Sequence, residues 1–125
     1  MEKPNIAIVG LGRIGSAFLE EMLQKKSKGI HLEYAAELSD TPGKKKAIEA
    51  GIKVISMDEV IGLGEKIDVI FDLTGLPEVR KELREKLGAS GNHHTVIASE
   101  SIVRTIWALI SDRELPVIEG RKTGY

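Results

Sequence analysis

The sequence predicts an α/β fold, a doubly wound parallel sheet of five to six strands with helices on both faces. Three observations predict it. Short apolar runs alternate with longer amphipathic stretches along the chain. The first run, Ile6-Ala7-Ile8-Val9, is continuous rather than alternating, as in a strand buried on both sides. A glycine cluster, Gly10 to Gly15, stands where that strand gives way to helical periodicity. With 125 residues, 42% hydrophobic and 30% charged, the chain suits one core, so the expected unit is a single domain over 1–125.

After the glycines, Ile14, Phe18 and Met22 recur at helical spacing with Ala17 beside them, and Lys25-Lys26-Ser27-Lys28-Gly29 closes the helix with cations and a terminal glycine. A second strand is expected over 32–38. Asp40 then offers a capping side chain ahead of Pro42, for a helix over 44–50 that stops at Gly51. Ile52 to Ile55 reads as the third strand, and Ser56 with Glu59 has the spacing of a capping box opening a short helix toward Leu63. The fourth strand, 67–71, ends at Asp72 before the turn-prone Thr74-Gly75-Leu76-Pro77. Val79, Leu83 and Leu87 mark the buried face of the next helix, whose other face carries Lys81/Glu85 and Glu82/Lys86, with Gly88 as its end. A fifth strand over 95–98 leads to a last helix from about Ser99 that buries Ile102, Ile106, Leu109 and Ile110. Pro116-Val117-Ile118 reads as a short sixth strand. There is no internal repeat or linker.

Charge and composition narrow the function. Lys plus Arg number 18 against 19 for Asp plus Glu, and a net charge of −1 gives no global field toward nucleic acid or an anionic membrane. Any anion must be held locally. The absence of cysteine excludes disulfides, thiolate metal sites and thiol catalysis, and fits a reducing compartment, so a cytoplasmic location is expected. The apolar segment that follows Pro4 is too short for a signal peptide or a membrane span.

Gly10-Leu11-Gly12-Arg13-Ile14-Gly15 matches GxGxxG, a weak signal alone in a chain with 13 glycines. Context strengthens it: a buried strand precedes, a helix follows, and Glu37 ends the next strand about 20 positions on. Gly10 permits a sharp turn, Gly12 clears the approach of a pyrophosphate, and Gly15 lets helix and strand close up. The unpaired N–H groups of the first helical turn and the positive end of its dipole can then hold a diphosphate. Arg13 adds a charge at the same mouth. Glu37 suits the adenosine ribose hydroxyls and repels a 2′-phosphate, which favours NAD over NADP. Lys44-Lys45-Lys46 is the opposing feature, read more simply as a solvated face.

Thr74 and Gly75, leaving the fourth strand, are expected near the nicotinamide end, and Ser99 and Glu100 either line the far end of the cleft or open the last helix. The adjacent His93 and His94 point apart in extended chain and make a poor chelate, His31 sits at the wrong edge, and Trp107 reads as core or an association surface. No catalytic acid–base pair and no metal cluster stands out.

Ile6 to Gly15, Ala36-Glu37-Leu38 and Asp68 to Gly75 together resemble the NAD(P)-binding Rossmann domain of the homoserine dehydrogenase, aspartate dehydrogenase and dihydrodipicolinate reductase type. Ala36 to Gly43, Glu49-Ala50-Gly51-Ile52 and Leu73 to Val79 are similar, more narrowly, to Rossmann modules fused to bacterial sensor kinases. Motif and resemblance together imply cofactor contacts at Gly10, Leu11, Gly12, Arg13, Ile14, Gly15, Glu37, Leu38, Thr74 and Gly75. Enzymes of this type add a substrate domain, which 125 residues do not accommodate. The expected function is therefore an NAD(H)-binding or redox-sensing module that reports to a signalling partner. The alternative is an oxidoreductase that completes its active site as a homodimer or with a separate subunit.

Overall fold

The computed structural model describes residues 3–99 and 101–115. Ten main elements alternate along it: β1 (Asn5–Val9), α1 (Arg13–Gln24), β2 (His31–Ala36), α2 (Pro42–Glu49), β3 (Lys53–Val54), α3 (Met57–Gly62), β4 (Val69–Asp72), α4 (Pro77–Ala89), β5 (Val96–Ala98) and α5 (Ser101–Ile110). All four strand pairings are parallel, in the order β3-β2-β1-β4-β5. The unbroken apolar run of β1 takes the central place because both its faces must be covered.

Alternation along β1 divides the interior in two. Ile6 and Ile8 face a core built with Ile14, Phe18, Leu19 and Met22 of α1 and Val103 and Trp107 of α5. Ala7 and Val9 face a second core holding Val60 of α3 and Leu83 of α4. The chain winds outward from β1 to β3, then returns past β1 to β4, and this reversal moves the connecting helices to the other face. Register sets Val9 beside both Ala36 and Asp72, so β1, β2 and β4 end together and Gly10, Glu37 and Leu73 leave from one rim.

Element boundaries shift in physically legible ways. Thr41, not Asp40, caps α2: its Oγ1 accepts from Lys44 N–H at 3.0 Å. Pro42 supplies the first helical turn, which leaves the residue just before it as the cap, while Asp40 lies in solvent with its carboxylate 3.8 Å from Lys44 Nζ. Ser56 and Glu59 do form the capping box of α3. Gly88 falls inside α4, whose end is capped by Ser90. Thr95 stays out of β5: its N–H donates to Asn92 Oδ1 at 3.1 Å, and its hydroxyl donates to Ile67 C=O at 2.6 Å.

The buried face of α5 differs from the expected one. Ile102 and Leu109 are 54% and 80% exposed, Val103 and Trp107 are buried, and Ile106 and Ile110 pack against the core as expected. Ser-Ile-Val-Arg-Thr-Ile-Trp-Ala-Leu-Ile carries apolar residues on more than one face, so periodicity alone does not choose between them. The indole of Trp107 makes the choice, its ring 5.1 Å from that of Phe18 and its Nε1–H donating to Arg113 C=O at 2.7 Å. Trp107 is therefore core. The expected sixth strand at Pro116-Val117-Ile118 and the candidate Glu100 lie outside the described residues. Among the described residues, no helix is long and apolar enough to cross a membrane.

Candidate functional site

The glycine turn is built by close contact at two of its glycines and by open space at the third. Gly10 has φ 101°, and a Cβ there would lie 2.9 Å from Thr74 N and Cγ2. At Gly15 a Cβ would come within 1.9 Å of Gly10 C=O, so only glycine lets α1 start this close to β1. A Cβ on Gly12 would meet nothing within 4 Å. The first bond of α1 runs from Ser16 N–H to Gly12 C=O at 2.8 Å, so the N–H groups of Arg13, Ile14 and Gly15 precede the helical ladder. The first turn contains no acidic residue and its cap makes no side-chain bond, which leaves the positive helix end facing the space beside Gly12.

Leu11 is buried and its peptide is held at both ends. Its N–H donates to Glu37 Oε1 at 2.8 Å, and its C=O accepts from Thr41 Oγ1 at 2.8 Å and Ser16 Oγ at 3.3 Å. Gly43 permits this, since a Cβ there would lie 2.1 Å from Ser16 Oγ and 2.6 Å from Leu11 C=O. Sequence reasoning missed Ser16, Thr41 and Gly43 as parts of the loop. The one available signal was Thr41-Pro42-Gly43, which reads as a helix start and does not reveal the carbonyl it braces.

Glu37 lies at the end of β2, half-buried, with Oε2 accepting from Ser39 N–H at 3.1 Å. A carboxylate has about four acceptor positions, so bonds to Leu11 and Ser39 leave capacity toward the cleft. Leu38 beside it is 95% exposed. Of the three lysines opposing this acid, Lys44 pairs with Asp40 and Lys46 with Glu20. Across the rim, buried Asp72 accepts from Thr74 N–H at 3.1 Å and Thr74 Oγ1–H at 2.7 Å, and Gly75 with φ 69° turns the chain into α4. Thr74 lines the cleft, whereas Gly75 is buried behind the turn. Ser99 is buried at the end of β5.

The histidines fall elsewhere. His31 Nδ1 meets Asn5 Oδ1 at 2.5 Å and His94 Nε2 meets Asp68 Oδ1 at 2.6 Å, both at the entry ends of the strands, and His93 is exposed. Asp68 also accepts from Asn5 N–H at 2.7 Å. That bond first, and His94 second, holds its carboxyl below the usual aspartate range. Among the described residues no group of three or more His, Asp or Glu is arranged to hold a metal.

A cleft of about 570 Å³ joins these parts. Gly10, Gly12, Arg13 and Ile14 form one end, Glu37 to Ser39 one wall, and Leu73, Thr74 and Leu76 the wall opposite. Ile55, Ser56, Met57 and Asp58 after β3, with Val79, Glu82 and Lys86 of α4, extend it downward. The cleft thus offers bare amides and a positive helix end for an anion, acceptors beside it, and apolar walls beyond.

A parallel sheet ordered β3-β2-β1-β4-β5, with a glycine turn at the point where the winding reverses, is the Rossmann fold. Solved structures place the chain among such domains. A homoserine dehydrogenase from Thiobacillus denitrificans is 23% identical over 86% of this chain and 26% of its own, with a TM-score of 0.57. An NADH-preferring ketol-acid reductoisomerase from an uncultured archean is 26% identical over 75% of this chain and 28% of its own, with a TM-score of 0.52. Prephenate dehydrogenase from A. aeolicus, in complex with hydroxyphenyl propionate and NAD+, is 19% identical over 99% of this chain and 45% of its own, with a TM-score of 0.57. The expected likeness to homoserine dehydrogenase domains is thus found in the fold, and the chain spans from about a quarter to under half the length of these structures. No protein-family model and no curated protein matches the chain.

Proposed function

We propose that residues 1–125 form an NAD(H)-binding module that reports nucleotide binding or redox state to a partner protein. The observation that carries this reading is the open space at Gly12 beside the unladdered N–H groups of α1, on a rim shared with Glu37 and Thr74. That cradle fits a pyrophosphate. The amides of Arg13, Ile14 and Gly15 would bind it, with the Arg13 guanidinium as an added charge. Gly10 and Leu11 hold the turn in shape, Glu37 receives the adenosine ribose hydroxyls, Leu38 covers the adenosine side, and Thr74, supported by Gly75, faces the other half. A nicotinamide, when bound, supplies a hydride donor or acceptor. The chain's own part is to grip and orient the dinucleotide.

NAD is the preferred form on this reading, because a 2′-phosphate would meet the Glu37 carboxylate while Lys44 and Lys46 are already paired with other acids. A second reading, part of an NAD(P)-dependent oxidoreductase whose substrate groups come from another subunit or copy, is favoured by the dehydrogenase and reductoisomerase neighbours of the fold. Titration calorimetry with NAD, NADH, NADP and NADPH tests the proposal. Micromolar binding of NAD or NADH is expected, with the 2′-phosphorylated forms weaker, and no heat from any of the four at millimolar concentration would refute it.

A further inference from the structure

The two edges of the sheet are unlike. β3, at one edge, is two residues long and carries Lys53, whose Nζ stands 3.6 Å from Glu33 Oε1 and over the ring of Tyr34. Short length and charge are the usual guards of an exposed strand. β5, at the other edge, reads Val96-Ile97-Ala98, with no charge and no proline. Val96 N–H donates to Asp68 C=O at 3.0 Å, so the alternation of a parallel ladder aims the N–H and C=O of Ile97 away from β4. Among the described residues, no strand pairs with that outer side.

The surfaces on either side of this edge differ in chemistry. Val96 lies in register with Val69, which packs into the core beneath α1 and α5, so Val96 points to the α5 side, where it is 58% exposed. On that side the Trp107 ring of α5 meets Phe18 of α1, and α1 in turn pairs with α2 through Glu20 and Lys46. α5 is therefore the outermost helix of the face. At 3.6 residues per turn, the exposed Ile102 and Leu109 lie about 140–160° around α5 from Trp107, on the flank toward β5. The opposite side is cationic. Glu82 and Lys86 of α4 face α3, where Lys86 pairs with Asp58, and Arg80 and the exposed Arg84 lie roughly 120–160° around α4 from them, again on the flank toward β5.

We propose that the β5 edge docks an extended segment of a partner protein in which apolar residues alternate with acidic ones. Ile97 supplies the main-chain pairing. The apolar residues of such a segment cover Val96, Ile102 and Leu109, and its acids, pointing to the other face, meet Arg84. Charge separates this occupant from two others. A second copy paired antiparallel about Ile97 would set one Arg84 toward the other, and the chain's own residues 116–125 carry Arg121 and Lys122 against Glu119 alone. The inference goes beyond the nucleotide reading and stands without it.

Fluorescence anisotropy of the unmodified chain with a labelled peptide alternating valine and glutamate, and with one alternating valine and lysine, tests this alongside hydrogen exchange at the Ile97 amide. The glutamate peptide is expected to bind at least about tenfold more tightly than the lysine peptide and to slow exchange at Ile97. Arg84→Glu, at an exposed position, should weaken glutamate-peptide binding about fivefold or more while leaving Tm unchanged. Ile97→Pro, which deletes the outward N–H and spares the bonds to β4, should abolish it. Equal binding of the two peptides, no binding at millimolar concentration, or unchanged affinity in Arg84→Glu overturns the proposal and leaves the NAD titration untouched. So does an Ile97 amide already protected in the chain alone: protection that rises with protein concentration assigns the edge to a second copy, and protection independent of concentration assigns it to residues 116–125.

Discussion

At the scale of single residues, the three glycines of the turn have separable duties. Gly12→Ala adds a methyl to open space and is expected to change stability by no more than about 0.5 kcal/mol, yet to abolish detectable NAD binding by calorimetry. Gly15→Ala drives a methyl to within 1.9 Å of the Gly10 carbonyl and is expected to destabilise the fold by about 3 kcal/mol in urea titration, because backbone must move to admit it. Glu37→Ser replaces the carboxylate with a short hydroxyl and removes the charge, so calorimetry should show NADP gaining relative to NAD by about tenfold. An unchanged ratio would take Glu37 out of the ribose site. Gly10, Gly12, Gly15 and Glu37 are legible in sequence because strand, turn and helix are contiguous and the acid follows at a regular distance. What Thr41, Ser16 and Gly43 do is hidden, since they act on a main-chain carbonyl, which every residue possesses and no letter displays.

At the scale of elements, α5 shows where pattern reading stops and packing decides. Trp107→Ala would open a cavity against Phe18 and remove the indole bond to the Arg113 carbonyl, with an expected loss of about 3–5 kcal/mol. Leu109→Ala, on the exposed side, should stay within about 0.5 kcal/mol. Paired chemical denaturation of the two variants checks both, and equal losses would mean that α5 is buried on the wrong face. Periodicity located α1 and α4 because each carries one apolar stripe among polar residues, whereas α5 is apolar on more than one side. The Asp58–Lys86 contact was equally hidden. It joins residues 28 apart in sequence and exists only because α3 and α4 share a face of the sheet.

At the scale of the whole molecule, the two rims of the sheet differ in chemistry. The exit rim carries the cleft, while the entry rim carries polar ties, among them Asp68 bonded to Asn5 N–H and to His94. Asp68 has its pKa held below the 3.8 of a free aspartate, so its contribution to stability is fully present above that value and is lost as the pH falls through the lower folded-state value. Thermal melts from pH 6 to pH 2.5 should therefore show Tm falling in acid, and Asp68→Asn should flatten that fall while lowering Tm at pH 6. A parallel acid profile in the variant would remove Asp68 from the account. That the sheet is doubly wound, with helices on each face, was legible from the alternation of runs, but the strand order and the pairing of the two rims depend on packing and register, which side-chain letters specify only through the core they fill. The bracing of Leu11 reaches furthest. Because its amide and carbonyl are both tethered before any guest arrives, the mouth of α1 is already shaped, and docking forfeits little chain freedom there. Glu37 is one of those tethers, so a substitution there loosens the anchor of the loop as well as altering a wall of the cleft.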